Sequence, residues 1–317
     1  MKILITGGAG FIGSHLAKKL MNRGDEVIII DNFNDYYDPK LKKDRIKKFL
    51  KDYKFTLHRG DIRNYKLLEK IFKKEKLDKI VHLAALAGVR NSLLNPLDYE
   101  DVNIKGTMNL LELSVKHKIK NFVYASSSSV YGNNKKQPFS ESDNVDTPIS
   151  PYAATKKATE LLAHVYSYIY GLNITGLRYF TVYGPWGRPD MALFLFTDAI
   201  IKGKPIKVFN YGKMSRNFTY VDDIVSGTIK VLDMNFKYEI MNIGGDREDR
   251  LTKFIKVIEK NVGKKAKKKM MPMQPGDVPS TVADISKLRK LGWSPTTRIE
   301  KGIKNFVEWY REYYKVK

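Results

Sequence analysis

The chain has 317 residues, of which 43% are hydrophobic and none is cysteine, a composition that supports a sizeable core and excludes disulfides, thiolate metal sites and a cysteine nucleophile. Its formal net charge is +23, from 57 lysine and arginine residues against 34 aspartate and glutamate residues. The lysines are spread over the whole chain rather than interleaved with aromatic residues, which argues against a nucleic-acid interface, and no apolar run is long enough to span a membrane.

The first part of the chain alternates short apolar runs with amphipathic runs of helical period. This alternation predicts an α/β fold, a doubly wound parallel sheet with helices on both faces. Continuous apolar strands agree with a sheet that is covered on both faces. The predicted strands cover residues 2–6, 26–31, 55–62, 79–85, 121–127 and 174–179, and the clearest predicted helices cover 11–23, 97–117 and 152–170.

The alternation ends at about residue 180. Residues 184–189 (GPWGRP) have the composition of a loop, and shorter elements follow them. We predict helices at 193–202, 221–234, 252–262 and 298–314 and strands at 217–220 and 239–243. The predicted plan is a nucleotide-binding domain over residues 1–180, to which residues 212–245 return, and a smaller mixed α/β domain over 181–317 that binds the substrate.

A glycine-rich turn lies between the first predicted strand and the first helix. Glycines at positions 7, 10 and 13 let the backbone approach a pyrophosphate, and the helix N-terminus supplies N–H groups. Asp31 ends the next strand, near the spacing of about 20 residues at which an acidic side chain bonds the adenosine ribose and repels a 2′-phosphate. The sequence therefore predicts a Rossmann-type site for NAD rather than NADP, formed by Gly7, Gly10, Phe11, Ile12, Gly13, Asp31 and Asn32.

Tyr152 and Lys156 stand four positions apart in a predicted helix, so they share one helix face. An ammonium near the phenol would lower the pKa of Tyr152 and make it an acid/base for a substrate hydroxyl. Ser127 ends a predicted strand, and the carboxyl ends of parallel strands face the ligand crevice. We predict Tyr152, Lys156 and Ser127 as the catalytic group, with Tyr152 and Lys156 also in contact with the cofactor.

Three motifs resemble one known family. TGGAGFIG at 6–13, SSSSVYG at 126–132 and YAATK at 152–156 are similar to the extended short-chain dehydrogenase/reductase family, the NAD-dependent epimerases and dehydratases of nucleotide sugars. The resemblance implies an enzyme that keeps NAD tightly bound and recycles it in each turnover. It adds the cofactor contacts Asp61, Ile62, Leu83, Ala84, Ala85, Ala87, Asn103 and Phe180. From the residues alone, Asp61 and Asn103 are explained equally well as a turn residue and a helix-packing amide.

The second half of the chain narrows this resemblance. Residues 88–90, 177–192 and 212–224 are similar to the UDP-glucuronate 4-epimerases of that family, most specifically in the run GPWGRPDMA. The resemblance implies oxidation of UDP-glucuronate at C4, rotation of the 4-keto intermediate and return of the hydride to give UDP-galacturonate. It implies a clamp on the diphosphate by Arg216, contact with the uridine ribose by the loop 274–277, and a substrate site of Arg90, Ser127, Ser128, Ser129, Thr181, Arg188, Arg216, Gln274 and Asp277.

Single positions distinguish this reading from others in the family. UDP-glucose 4-epimerases usually have asparagine at the position of Thr181, and 4,6-dehydratases have an Asp-Glu pair at Ser128 and Ser129. A C6 carboxylate needs hydroxyl donors or a cation, which Thr181 and Arg188 offer, although Arg188 can equally brace its loop by a salt bridge and Arg90 is a second candidate. The alternatives are a UDP-glucose/UDP-galactose 4-epimerase and, more remotely, a UDP-glucuronate decarboxylase or a non-catalytic NAD-binding protein.

The expected partner is a UDP-sugar, without nucleic acid, membrane or metal. The five histidines form no H-x-x-x-H or H-x-H pair, so no metal site is predicted. Because members of this family commonly dimerise through two helices per subunit, the resemblance implies a homodimer formed by the helices at 97–117 and 152–170. We expect a cytoplasmic location, since the glycines after the first apolar run come too early for a signal peptide.

Overall fold

The computed structural model describes residues 1–274 and 276–316. Pro275, in the loop predicted to meet the uridine, and Lys317 lie outside the described residues. The strands are β1 Lys2–Thr6, β2 Glu26–Asp31, β3 Thr56–Arg59, β4 Lys79–His82, β5 Asn121–Ser127, β6 Ile174–Tyr179, β7 Thr181–Tyr183, β8 Ile206–Val208, β9 Ser215–Arg216, β10 Phe218–Tyr220, β11 Tyr238–Ile243, β12 Asp249–Arg250, β13 Lys268–Met270 and β14 Ser280–Thr281.

The helices follow the predicted positions closely. They are α1 Phe11–Asn22, α2 Pro39–Asp44, α3 Tyr65–Glu75, α4 Val89–Leu94, α5 Pro96–Glu100, α6 Gly106–Lys116, α7 Pro151–Tyr170, α8 Ala192–Ile201, α9 Val221–Asp233, α10 Leu251–Val262, α11 Ser286–Lys290 and α12 Ile299–Tyr314. Single π-helical turns cover Arg45–Phe49 and Asp101–Lys105, and 3₁₀ turns cover Ser128–Tyr131 and Phe209–Gly212. Among these described elements, no helix combines the length and the apolar character needed to cross a bilayer.

A parallel sheet lies at the centre of the molecule. Within the described residues it has seven strands in the order β11-β6-β5-β4-β1-β2-β3. The chain builds outward from β1 to β3 and then returns to place β4 against the other side of β1. The crevice of such a sheet lies at the carboxyl ends of the strands on either side of this reversal. The observed order confirms the predicted Rossmann-type fold.

The apolar run of β1 shows why both faces of the sheet are covered. Side chains alternate between faces along a strand, so Ile3 and Ile5 point to one side and Leu4 to the other. Ile3 and Ile5 belong to the cluster beneath α1 and α9, and Leu4 belongs to a second cluster beneath α3 and α6. All three are completely buried, as a strand covered on both faces requires.

Two predicted boundaries are wrong. The strand predicted at 55–62 is limited to β3, and the strand predicted at 79–85 ends at His82, after which residues 83–88 leave the sheet as a loop. The helix predicted at 97–117 is present, since α5, the π-helical turn and α6 follow one another without a break in the helical backbone. Within that turn, the Asn103 side chain donates to the carbonyl of Leu86 at 3.0 Å and accepts from its N–H at 2.8 Å.

The chain after β6 forms small sheets and a helical layer beside the large sheet. The small sheets pair β10 with β7, β12 and β14 with β9, and β13 with β8, whereas β11 returns to the large sheet beside β6. An aromatic cluster packs the loop after β7 and helix α8 against α12, with members Trp186, Phe194, Phe306, Trp309 and Tyr310. This packing brings the loop after β7 over the carboxyl edge of the large sheet.

Candidate active site

A cavity of about 1260 Å³ lies at the carboxyl edge of the large sheet. The loops after β1, β4 and β5 and the start of α7 form part of its wall, and the segments after β6 complete it. Every residue predicted for the site lines this cavity except Asn103. The fold therefore brings together residues that lie as far apart in the sequence as Gly7 and Asp277.

The glycine loop after β1 depends on close backbone contacts. Gly7 has a φ of +69°, and a Cβ there would lie 2.8 Å from the amide nitrogen of Ala84. A Cβ on Gly10 would lie 2.8 Å from the carbonyl oxygen of Gly7, and one on Gly13 would collide with the same oxygen. The loop ends at the N-terminus of α1, whose first N–H groups have no partner within the helix and suit a phosphate.

The Asp31 carboxylate joins this loop to the end of β2. It accepts hydrogen bonds from the N–H groups of Ala9 at 3.0 Å and Phe33 at 2.8 Å. Burial raises the pKa of Asp31, while these two donors and the charge of Lys42 act in the opposite direction. An acceptor at this position of the cavity suits ribose hydroxyls and disfavours a second phosphate.

Asn32 and Asp61 form a polar pair at the ends of neighbouring segments of the wall. The Asn32 amide donates to Asp61 Oδ2 at 2.9 Å, and the Arg63 guanidinium lies 2.8 Å from the same oxygen. Hydrogen bonds from Arg63 are the largest effect on the pKa of Asp61, which falls to about 2. Asp61 is therefore ionised at neutral pH. Apolar wall around it is supplied by Ile62, Leu83, Ala84, Ala85 and Ala87.

Asn103 lies behind this wall. Its side chain is 2% exposed, and besides its two bonds to Leu86 it donates to the Thr155 hydroxyl at 3.1 Å. All the hydrogen bonds of its amide therefore connect the loop after β4 to α7. This geometry favours the helix-packing explanation, in which Asn103 holds the wall in place rather than touching a ligand.

Lys156 lies one turn after Tyr152 on α7, and both side chains reach the cavity. The helix begins with proline at its first position, and the Ser150 hydroxyl caps it by accepting from the Ala153 N–H at 3.2 Å. Lys156 Nζ donates to the carbonyl of Ala125 at 2.8 Å. Burial lowers the pKa of Lys156 to about 8.

Opposing effects act on the Tyr152 phenol. Burial raises its pKa above the ordinary value of 10.0, whereas the neighbouring Ser127 hydroxyl and the charge of Arg188 oppose that rise. The sequence predicts the opposite net direction, and that prediction is wrong for this structure, because the burial of the phenol outweighs both opposing groups. Further positive charge near the phenol would oppose this rise in its pKa.

Hydroxyl groups line the wall next to Tyr152. Ser127 ends β5 and is buried, and its Oγ accepts from the N–H of Ser129 at 3.1 Å, which caps the 3₁₀ turn that follows. Ser128 and Ser129 are partly exposed, and Thr181 at the start of β7 lines the same cavity. Together these hydroxyls offer donors to an oxygen-rich ligand.

Arg188 reaches the cavity from the loop between β7 and α8. Its Nε and Nη2 bond the Asp190 carboxylate at 3.0 and 2.6 Å, and Nη2 lies 3.4 Å from the Ala87 carbonyl. The guanidinium stacks over the Tyr36 ring, 5.4 Å from its centroid. The salt bridge considered from sequence is present, and the same cation also lines the cavity and acts on Tyr152.

Arg216 and Arg90 share one acidic partner. Their guanidinium groups lie 3.7 and 3.3 Å from the Asp277 carboxylate. The Arg216 side chain is 17% exposed, against 58% for Arg90, and burial lowers the pKa of Arg216. Gln274 Oε1 is buried without a hydrogen-bond partner among the described residues. Arg216 is held in place but is only weakly paired with Asp277, so its charge can bind a phosphate-bearing ligand. The Gln274 oxygen beside it can accept a hydrogen bond from the same ligand.

Residues 34–42 contribute cavity side chains that the sequence analysis missed. Asn34, Tyr36 and Lys42 line the cavity, and Lys42 Nζ donates to the Asn34 carbonyl at 2.8 Å. Burial lowers the pKa of Lys42. The segment carries no motif, and α2 has only six residues, so periodicity could not place it. The one available signal is its position directly after Asp31.

Comparison with known proteins finds relatives along the whole chain. The model of the NAD dependent epimerase/dehydratase family matches residues 3–244. UDP-glucuronate 4-epimerase 4 of Arabidopsis thaliana is 48% identical over 332 residues, which cover 98% of this chain and 76% of that protein. The crystal structure of UDP-glucuronic acid 4-epimerase from Bacillus cereus, in complex with UDP-glucuronic acid and NAD, has a TM-score of 0.93 at 38% identity and covers 99% of this chain and 100% of that chain. UDP-glucose 4-epimerase of Thermotoga maritima, with UDP-glucose, has a TM-score of 0.90 at 33% identity with the same coverage.

Proposed function

This chain belongs to the NAD-dependent epimerase/dehydratase family, and we propose that it interconverts UDP-glucuronate and UDP-galacturonate by inverting C4 of the sugar. One observation carries the proposal. Tyr152 and Lys156 share a single cavity with the glycine loop and with Thr181 and Arg188. An acid/base group beside a dinucleotide loop suits oxidation and reduction of a hydroxyl carbon, and a cation with hydroxyl donors suits a sugar carboxylate.

NAD fits the residues that line the cavity. The N–H groups of the glycine loop and of the first turn of α1 would hold the pyrophosphate, and Asp31 would accept from the adenosine ribose. Asn32, Asp61 and Ile62 would border the adenine, and the nicotinamide side would meet the wall after β4 together with Phe180. When bound, NAD supplies the acceptor for the C4 hydride and the donor that returns it.

Tyr152 moves the proton of the sugar 4-hydroxyl in this proposal. In its ionised form the phenolate accepts that proton while the Ser127 hydroxyl bonds the same sugar oxygen. Lys156, buried beside Tyr152 on α7, would bond the ribose of bound NAD and so keep positive charge near the phenol. After the 4-keto sugar has rotated in the site, Tyr152 returns the proton to the C4 oxygen as hydride is added to the opposite face of the sugar.

Two groups of residues hold the two ends of the substrate while the 4-keto sugar rotates. Arg216 and Asp277 with Gln274 anchor the UDP part, so that the sugar rotates about a fixed diphosphate. Thr181 and Arg188, with Ser128 and Ser129, hold the C6 carboxylate. Because the 4-keto intermediate is a β-keto acid, these contacts must also keep the carboxylate out of the geometry in which carbon dioxide is lost.

The decisive experiment incubates the purified protein with UDP-glucuronate, without added NAD, and follows the sugar by NMR. Appearance of UDP-galacturonate without carbon dioxide supports the proposal and shows that NAD is retained. Formation of a UDP-pentose with release of carbon dioxide would make the protein a decarboxylase. Turnover of UDP-glucose in a parallel sample, with no change of UDP-glucuronate, would favour the neutral-sugar epimerase instead.

We propose a homodimer on the basis of apolar side chains exposed on adjacent helices. Leu94 and Leu97, around the start of α5, are 79% and 80% exposed, and Tyr168 and Ile169 on α7 are 76% and 62% exposed. Large apolar side chains that stay exposed on neighbouring helices are typical of an interface between subunits. Light scattering on the purified protein tests this: a mass of one chain would contradict it.

The same proposal assigns a different ligand to each domain of the chain. Residues 1–180, with 212–245 returning to them, would bind NAD, and residues 181–317 would mainly bind the UDP-sugar. Separate variants of Asp31 and Arg216 test this, since the first should weaken NAD and the second the UDP-sugar. Because NAD and nucleotide sugars are the ligands, we assign the protein to the cytoplasm.

A further inference from the structure

Arg45 is a fully buried arginine that the proposed chemistry does not use. Its side chain is 0% exposed and lies in the π-helical turn after α2. Its hydrogen bonds go to uncharged oxygens. Nε and Nη2 donate to the Trp186 carbonyl at 3.1 and 2.7 Å, and Nη2 also to the Gly187 carbonyl at 3.4 Å. Nη1 donates to the Ala9 carbonyl at 3.1 Å and the Tyr37 hydroxyl at 2.7 Å. Burying a guanidinium in this way is costly, so the contacts it makes call for an explanation.

These carbonyls belong to the two loops that meet at the cavity. Ala9 is part of the glycine loop, and its N–H is held by the Asp31 carboxylate at 3.0 Å. Trp186 lies two residues before Arg188. The planar guanidinium of Arg45 therefore connects the glycine loop to the loop that carries Arg188. Its several N–H donors point in fixed directions, so they can hold both loops at once.

The backbone at Trp186 needs such a contact. The Gly187 N–H bonds the Gly184 carbonyl at 3.1 Å, which closes a turn with Pro185 and Trp186 at its centre, and Trp186 has a φ of +60°. A proline followed by a residue with positive φ is the pattern of a type II turn, in which glycine or asparagine normally takes the second central position. A tryptophan there is strained, and such strain persists only where the surroundings enforce it.

The surroundings hold Trp186 from two directions. Its ring packs in the aromatic cluster, with centroids 5.3 Å from Trp309 and 5.1 Å from Tyr313. Its carbonyl receives the two hydrogen bonds from Arg45. The ring fixes where the residue sits, and Arg45 fixes the plane of the peptide that leads to Arg188.

We infer that Arg45 is a positioning residue that sets Arg188 relative to the cofactor loop and so determines the preference for a sugar with a C6 carboxylate. The inference rests on the proposed function, in which Arg188 holds that carboxylate. Without the hydrogen bonds from the Arg45 guanidinium, the Trp186 peptide can rotate out of the left-handed conformation. The Arg188 side chain then moves away from its stacking position over the Tyr36 ring. The UDP anchor at Arg216 lies on another segment and is unaffected.

The test measures the dissociation constants of UDP-glucuronate and UDP-glucose on the NAD-loaded protein, in a Tyr152→Phe background where neither sugar is converted. In Arg45→Lys, which keeps the charge but loses the planar guanidinium, we expect UDP-glucuronate to bind about tenfold more weakly. UDP-glucose should change by less than about twofold, because its binding does not use Arg188. Tyr37→Phe is the matched control: it removes one bond from Arg45 but leaves both bonds to Trp186, so the ratio of the two constants should stay unchanged.

Two further results complete the test. If Arg45→Lys folds, as judged by its melting curve, and keeps the parent ratio of the UDP-glucuronate to the UDP-glucose dissociation constant while Arg188→Met raises it, the positioning role is refuted and the proposed function stands. If Arg188→Met also keeps the parent ratio, the carboxylate role proposed for Arg188 fails and the positioning role fails with it. Should Arg45→Lys not fold, Arg45→Gln, which retains one amide donor, is measured in the same way and judged by the same ratio.

Discussion

The Arg178 guanidinium donates through Nε and Nη2 to the two carboxylate oxygens of Glu160, both at 2.8 Å, and each side chain is 4% exposed. Glu160 Oε1 also accepts from the Ser126 hydroxyl at 2.6 Å. Glu160 lies one turn after Lys156 on α7, and Ser126 directly precedes Ser127. The buried ion pair therefore joins the helix that carries the proposed acid/base to β6, and the Ser126 hydrogen bond joins the same carboxylate to the strand end that carries Ser127.

We predict that Glu160→Gln lowers the free energy of unfolding by about 3 kcal/mol, because it leaves a buried guanidinium without its counter-charge. Urea unfolding followed by circular dichroism measures the change. Glu69→Gln is the matched control, since it breaks an exposed pair with Lys116 at 2.5 Å and should change stability much less. Equal losses in the two variants would show that the buried pair has no special weight.

Tyr152→Phe should reduce turnover of UDP-glucuronate by a factor of about 10³ while leaving NAD content and substrate affinity close to those of the parent. The phenol oxygen is the group removed, and the ring still fills its place beside Tyr99, 6.1 Å between centroids. Tyr166→Phe on the same helix is the control, because its hydroxyl bonds Glu112 instead. A Tyr152→Phe protein that turns over at the parent rate would exclude Tyr152 as the acid/base.

The buried ammonium of Lys156 predicts a specific pH dependence of stability. Its pKa of about 8 in the folded chain lies below the ordinary 10.5, so below pH 8 the burial of its charge costs stability in full. As the pH rises from 8 to 10.5, the folded chain releases this proton before the unfolded chain does, and the folded state gains about 3 kcal/mol. The difference in unfolding free energy between the parent and Lys156→Met, both without NAD, should grow by that amount over this window.

Lys79→Met is the matched control for that experiment. Lys79 is also buried, its Nζ donates to the Leu232 carbonyl at 2.7 Å, and burial lowers its pKa. We expect the same sign of pH dependence from Lys79→Met but undiminished turnover, whereas Lys156→Met should lose turnover as well. A flat difference curve for Lys156→Met would mean that Lys156 is not buried in its charged form.

The sequence predicted the elements of the large sheet well because its strands are continuous apolar runs bounded by glycine and polar residues. It predicted the glycine loop, Asp31 and the pair Tyr152 and Lys156 because each carries its chemistry within a short motif. The π-helical turn within the helix at 97–117 could not be predicted, since the contact of Asn103 with Leu86 that accompanies it joins separate segments of the chain.

Long-range contacts also explain what the sequence missed in the site. Tyr36 and Lys42 reach the cavity because the segment after Asp31 folds along its wall. The role of Arg45 can be recognised only from its contact with Trp186, which is 141 positions away in the sequence. Burial is the largest effect on the pKa of Tyr152, and the Lys156 ammonium one turn away donates to the carbonyl of Ala125. Spacing on a helix gives proximity but not orientation.

The proposed dimer predicts that Leu97→Glu dissociates the protein into single chains, because a carboxylate would replace an 80% exposed apolar side chain among those proposed for the interface. Size-exclusion chromatography with light scattering measures the mass. Met270→Glu is the control, since Met270 is 50% exposed but lies on β13 rather than on the proposed interface helices. Loss of the dimer in both variants would indicate non-specific association.

Arg216 and Arg188 should respond differently to the sugar part of the ligand. Arg216→Met is expected to weaken UDP, UDP-glucose and UDP-glucuronate by the same factor of about ten or more, because a diphosphate contact is common to all of them. Arg188→Met should weaken UDP-glucuronate alone. Calorimetric titration of the NAD-loaded Tyr152→Phe protein gives all three constants.

Arg298→Met is the control for these two variants, because Arg298 pairs with Asp246 at 3.0 Å and its side chain is 46% exposed. If Arg216→Met weakens only UDP-glucuronate, then Arg216 and not Arg188 holds the carboxylate. The distinction follows from the structure: Arg216 shares Asp277 with Arg90 at 3.7 Å, whereas Arg188 lies close enough to Tyr152 for its charge to oppose the rise in the pKa of that phenol. Of these two arginines, Arg188, whose charge acts on the proposed acid/base, is the better placed to contact a group on the reacting sugar.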